Sequence, residues 1–196
     1  MKIEELNIEL AKKMSNSEYA YKRPVFGLGP ENAKIALIGE APGGEEEARG
    51  KPFVGKAGKN LTEFLNIIGL LRSEIYITNA VKLRPSKISP KTGKELNRSP
   101  NVAEIKFFNT FLHKELEIIA PKYIVTLGNV PLLAVTGQNL KIGDCHGTLI
   151  KAEAYENIFA LYHPAAVIYN QSLKDVYLKD LAMLRKIVTC SDGASL

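Results

Sequence analysis

Cysteine is missing from the first 144 residues of this 196-residue chain, and only Cys145 and Cys190 follow. Two thiols so placed make neither a disulfide framework nor a four-thiolate metal site, and they suit a reducing cytoplasm. No run of about 18 apolar residues occurs, so no segment is fit to span a membrane. The opening MKIEELNIELAKKM is charged and amphipathic, unlike a secretory signal. Neither G-x-x-x-x-G-K-[ST] nor G-x-G-x-x-G is present, which argues against a nucleotide-handling protein built on a phosphate loop. Internal repeats and low-complexity tracts are lacking too. Asp144, Cys145 and His146 are adjacent but lack the ligand spacing of a zinc site, so no metal is expected.

What is present belongs to a soluble globular protein: 45% hydrophobic and 24% charged residues, in a length that fits one domain with a sizeable core. The net charge of +5 favours a polyanionic partner. Apolar β-like runs at Ile35–Ile38, Ile75–Thr78, Tyr123–Leu127 and Ile158–Tyr162 alternate with helical patterns at 3–14, 60–71, 102–120, 130–135 and 173–188. That alternation predicts a three-layer α/β/α domain over 1–196, with a central, mainly parallel four-stranded sheet. Residues 189–196 read as a frayed tail.

Three of these strands stop at a polar residue: Glu40, Asn79 and His163. A parallel sheet brings them to one rim, beyond the carboxyl ends of its strands, where ligands bind in open α/β folds. Asn79 offers a donor and an acceptor, matching an edge that presents C=O and N–H. His163 can donate to an oxygen on which negative charge develops. Gly39-Glu40-Ala41-Pro42-Gly43 then breaks both helix and strand, and Phe53, in a second glycine-rich segment, offers a stacking face. Between them Glu45–Glu47 read as solvent-facing acids or as partners that organise nearby basic groups. Singly, Asn79 reads more readily as a cap or turn residue and His163 as a satisfied histidine before a rigid proline. Their repetition at strand ends makes the joint reading a site. Lys82, Arg84, Lys87, Lys91, Lys94 and Arg98 form a basic stretch against one acid, Glu95, suited to phosphates or to plain solvation.

The stretch from Gly39 to Gly58, GEAPG followed by acids and G-x-PFVG-x-AG, resembles the first motif of the uracil-DNA glycosylase superfamily. Tyr76–Pro85, Asn97-Arg98-Ser99-Pro100, Ile124–Gly128 and His163-Pro164-Ala165-Ala166 are similar to its later motifs, in order, over roughly residues 25–187. The pattern is closest to the thermostable bacterial and archaeal branch, family 4. The resemblance implies a DNA repair enzyme that excises uracil from DNA. Phe53 would stack on the base, Asn79 read its edge, and His163 support the leaving group. Glu40 would act as the catalytic carboxylate on water or on the sugar cation, and Gly39, Ala41, Pro42 and Gly43 would shape the base site. Lys82, Arg84, Lys87 and Arg98 would meet phosphates, with a hydrophobic wedge at Val167 and Ile168.

Three departures stand out. The branch carries four cysteines around an iron–sulfur cluster, whereas here Leu83 and Phe108 occupy two of those places and the N-terminal pair is absent. The expectation is packing in place of a cluster, with no cofactor. Ser86–Leu96 lengthens the loop before Asn97, and Val167-Ile168-Tyr169 replaces the usual leucines and arginine. These departures keep a second possibility open: a uracil- or abasic-DNA-binding protein with weak turnover, or one preferring hypoxanthine or xanthine. The partner expected is uracil-containing DNA, for a monomer acting in the cytoplasm.

Overall fold

The structure is a computed structural model describing residues 1–67 and 69–190. The inward placement expected of Phe64 and Ile68, and the frayed tail beyond 190, lie outside the described residues. In chain order the elements are α1 (Ile3–Ser15), β1 (Ile35–Gly39), α2 (Gly44–Arg49), α3 (Lys56–Ile67), β2 (Tyr76–Asn79), β3 (Ser86–Ile88), β4 (Glu95–Asn97), α4 (Val102–Ile119), β5 (Tyr123–Leu127), α5 (Asn129–Thr136), α6 (Ile142–Cys145), β6 (Leu149–Ile150), β7 (Ile158–Leu161), α7 (Pro164–Tyr169) and α8 (Lys174–Cys190).

The central sheet runs β2-β1-β5-β7-β6. The four strands expected from the sequence are parallel, and every residue of each is buried. Such strands read as continuous apolar runs because both faces are covered. Alternate side chains then serve different layers: Ile35 and Leu37 pack with Leu61 and Leu65 of α3 and Tyr177, Leu181 and Leu184 of α8. Ala36 and Ile38 face the other way, onto Leu112 and Leu116 of α4 and Ala134 and Val135 of α5. The three-layer arrangement is as expected, but the sheet has five strands rather than four. The fifth, β6, is two residues long and antiparallel at the edge, too short to give a periodic signal.

Helix ends follow local chemistry. Asn101 caps α4 by accepting from the Glu104 N–H (2.8 Å), while the Glu104 carboxylate accepts from the Asn101 N–H (2.7 Å). At the other end Ala120 turns left-handed just before Pro121. Helix α3 begins at Lys56 rather than Asn60 and runs through Gly58, where a Cβ would collide with the Phe53 carbonyl. The lengthened loop at 86–96 takes the form of the β3–β4 hairpin, closed by the Ser89 N–H donating to the Lys94 carbonyl (2.8 Å) and by left-handed Gly93. Among the described residues no helix is long and apolar enough to cross a membrane.

Candidate active site

The chain leaves β1 on one side of the sheet to form β2 and returns on the other to form β5, which puts a topological switch point beside the end of β1. A cavity of about 300 Å³ opens at this carboxyl rim, walled by Ala41, Gly43, Phe53, Asn79, Asn97 and His163, with Ile168 and Tyr169 at one side. Asn79 ends β2 in register with Gly39 of β1. A Cβ at Gly39 would collide with both Asn79 Oδ1 and the Phe53 ring, so only glycine lets the amide and the ring approach this closely.

Phe53 has φ 51°, a strained conformation for an aromatic residue. Its loop is over-determined from outside. Glu46 of α2 accepts from the N–H groups of Val54 (3.0 Å) and Gly55 (2.7 Å) with one oxygen and from Gly43 (3.1 Å) with the other. Arg72 donates to the Pro52 carbonyl (2.7 Å) from the far side. Strain persists where surroundings fix it, and here it aims a ring into the cavity, 6.0 Å from the His163 imidazole between centroids. Glu45 pairs with Arg49 and Glu47 with Arg84, as expected of acids that organise basic groups, whereas Glu46 has a further role. It organises backbone N–H groups, a role that no residue pattern along the chain distinguishes from solvation.

His163 caps α7, whose first residue is Pro164. The Ala165 N–H donates to His163 Nδ1 (3.1 Å), so the ring proton sits on Nε2. Burial pushes the imidazole pKa down to about 4, slightly opposed by the Glu46 carboxylate. At neutral pH the group is an uncharged Nε2–H donor.

Glu40 is placed differently. Its carboxyl pKa is raised by burial, opposed by a hydrogen bond from the Ser99 side chain. It does not line the cavity, which Ala41 walls at this point, and Pro42 is buried behind. Thus Asn79, His163, Phe53, Ala41 and Gly43 converge, with Gly39 beneath them and Glu40 alongside.

Two expected DNA contacts are corrected. Lys82 is buried, its ammonium enclosed by Thr78, Asn79 and Glu115, and it cannot reach a phosphate. Val167 is buried in the apolar layer beside α8 and is no wedge, because the α7 turn points it at the sheet. Ile168 lines the cavity, and Tyr169, 88% exposed, is the large side chain at its mouth. The remaining cations surround the hairpin. Arg84 pairs with Glu47 (3.3 Å) and Glu95 (3.0 Å) and donates to Asn97 Oδ1 (2.8 Å), joining the hairpin to the cavity wall. Arg98 makes a two-pronged pair with Glu104 (2.7 and 2.6 Å), and Lys87 is exposed. A second cavity of about 240 Å³ lies between these groups and Tyr19, Tyr21 and Lys22.

Leu83 and Phe108 are buried together with Leu6, Leu10, Met14 and Tyr19, joining α1 to α4. Tyr19 packs edge-on to Phe107 at 4.8 Å, and Phe107 edge-on to Phe108 at 5.0 Å. These side chains offer no thiolate, and no group of three or more His, Cys, Asp or Glu side chains able to hold a metal occurs among the described residues. An iron–sulfur cluster does not fit here. His146, near the unsuited cysteine, pairs with Asp180 at 2.8 Å.

A neutral donor, an amide and a fixed ring meet around one rim cavity, an arrangement with the shape and polarity to take a flat heterocycle. Sequence comparison specifies the kind. The family model described as the Uracil DNA glycosylase superfamily matches residues 26–187, and the chain belongs to that superfamily. It is 37% identical to the type-4 uracil-DNA glycosylase of Archaeoglobus fulgidus, over 83% of this chain and 81% of that one. To the type-4 uracil-DNA glycosylase of Thermotoga maritima it is 34% identical, over 84% and 82%. The crystal structure of Pedobacter heparinus SMUG2 shares the fold, with a TM-score of 0.57 at 16% identity over 82% of this chain and 77% of that one.

Proposed function

We propose that this chain is a monofunctional uracil-DNA glycosylase of DNA base excision repair, hydrolysing the N-glycosidic bond of deoxyuridine. The observation that carries the reading is the meeting of Asn79, Phe53 and a neutral His163 around one cavity. A nucleotide extruded from the strand, at a cost of roughly a few kcal/mol, places its base there. Phe53 stacks on the ring, while the Asn79 amide pairs with the C=O and N–H edge. As the C1′–N1 bond breaks, its electrons pass to the base and the sugar becomes oxocarbenium-like. His163 Nε2–H donates to the carbonyl oxygen that gains charge, and being neutral it does so without giving up its proton. The Glu40 carboxylate, just outside the base cavity, is on the side of the sugar, where it stabilises the cation or orients the water that adds to C1′. No lysine reaches the sugar carbon in this scheme, so base loss leaves an abasic site on an intact strand.

The hairpin supplies phosphate contacts through Lys87, with Arg84 and Arg98 holding its base, and the protein works as a cytoplasmic monomer. The departures from the family pattern, the β3–β4 hairpin and Val167-Ile168-Tyr169 among them, favour one rival, binding of uracil or of another damaged base with weak turnover. Labelled oligonucleotides bearing uracil, hypoxanthine or xanthine, incubated with protein and then alkali, separate the two. Alkali-labile breaks at uracil are expected. Tight binding with intact strands would replace the catalytic reading by the binding one.

A further inference from the structure

Beneath Asn79 lies a charged network that the reaction scheme does not use. Lys82 Nζ donates to the Asn79 carbonyl (2.7 Å), to Thr78 Oγ1 (2.5 Å) and to Glu115 Oε2 (2.5 Å). Glu115, on α4, also accepts from the Tyr76 hydroxyl (2.8 Å) and from Thr78 Oγ1 (3.1–3.2 Å). Both charged side chains are nearly inaccessible, at 2% and 3% exposure. A buried ion pair is a poor source of stability, because the desolvation of two charges offsets most of their attraction. What the pair does have is geometry. Its three ammonium donors end on β2 and on α4, and one of them ends on the carbonyl of the residue whose side chain walls the cavity. The turn after β2 is otherwise held by the Ala80 N–H on the Gly39 carbonyl (2.8 Å) and the Val81 N–H on the Glu40 carbonyl (3.1 Å), at the end of β1. Lys82 ties that turn to the helical layer at Asn79 itself.

We infer that Lys82, with Glu115, is a positioning residue for uracil recognition, fixing the Asn79 backbone so that its carboxamide faces the base. The assignment rests on the reading of Asn79 given above. It makes Lys82 specific to the chemistry of the cavity rather than to DNA affinity, the opposite of a phosphate-binding lysine. Misplacing a reacting group by about 1 Å can cost on the order of 10²-fold in rate.

The test uses Lys82→Met/Glu115→Gln, which removes both charges together. The amide introduced on α4 can still accept from Tyr76 and bond Thr78. Wild type, this variant, Asn79→Ala and the triple variant are compared on one uracil-containing oligonucleotide, with thermal unfolding of each. The expected result is a folded double variant whose kcat falls about 10–100-fold with KM for DNA unchanged. The triple variant should be no slower than Asn79→Ala, since a residue acting through the Asn79 side chain has nothing left to position. Wild-type kcat in the folded double variant would overturn the inference. So would a triple variant whose losses simply add, or a loss confined to KM. Should the pair instead be needed for folding, Glu115→Gln alone, which keeps a hydrogen-bonding atom at each carboxylate position, must still lower kcat at constant KM, and its failure to do so would equally overturn it. Absence of uracil release by wild type would count against the glycosylase reading itself, a separate outcome.

Discussion

The base cavity and the β3–β4 hairpin stand side by side, joined through Arg84 and Asn97, yet they are built on opposite principles. The cavity brings three uncharged groups together without slack, among a charged lining of Glu45, Glu46 and Lys56: a neutral imidazole fixed by a helix N-terminus, an amide anchored from behind, and a strained ring tied down by Glu46 and Arg72. The hairpin is exposed and charged, and its ion pairs are shared among several partners, as Glu95 is between Lys22 and Arg84. Reading a base needs donors fixed before charge develops. Holding a strand needs charges that exchange partners and let go. On the proposed function, placing the two side by side lets one protein grip DNA reversibly and still discriminate sharply.

If this contrast is right, the largest effects should come from the cavity. Asn79→Ala and His163→Ala should each slow excision by about 10²–10³, with DNA affinity little changed, measured by single-turnover kinetics beside equilibrium binding. Equal losses of rate and affinity would erase the distinction between the two regions.

Next come the side chains that join α1 to α4. Leu83→Ala and Phe108→Ala should each cost roughly 2–5 kcal/mol of stability by denaturant unfolding, since each leaves a cavity in packed surroundings. Purified protein should be colourless, free of iron and sulfide, and as active with chelator as without. Stoichiometric iron after anaerobic purification would overturn the replacement of cluster by packing.

A smaller effect separates the regions by pH. The folded His163 titrates near 4, while an unfolded histidine does so near 6.5. Between those values the unfolded chain takes up a proton that the folded one refuses, so stability falls as pH drops from about 6.5 toward 4 and is insensitive to this group above. Denaturation at pH 5 and pH 7 should show this loss in wild type and less of it in His163→Gln. Excision should show no limb from His163 near 6.5. The acid limb belongs to Glu40, whose raised pKa makes it protonate first. Glu40→Gln should therefore leave a slow reaction whose only acid limb lies near 4.

The smallest effect belongs to the hairpin. Neutralising Lys87, Lys91 and Lys94 together should flatten the plot of log affinity against log salt by up to about 3 units if each meets one phosphate. The rate with bound DNA should not change. An unchanged slope would make these lysines solvated surface and leave Arg84 and Arg98 to carry the phosphates.

Four parallel strands, the layers on both faces and the three strand-end residues were all legible in the sequence. Buried parallel strands must be apolar throughout, and a polar residue that closes such a run has to emerge at the rim. The filling of the cluster position by Leu83 and Phe108 was legible as well, because an apolar residue in place of a ligand has no alternative but to pack. What only tertiary structure decided was which charges stay outside. Lys82 and Lys87 lie five residues apart in one basic stretch, and nothing local separates them. Glu115, thirty-three positions further on and a helix away, takes Lys82 into the interior. Val167 and Tyr169, two residues apart, are likewise sorted only by the packing of α7, one buried and the other exposed. A charge is buried only when its partner arrives, and partners arrive from distant parts of the chain.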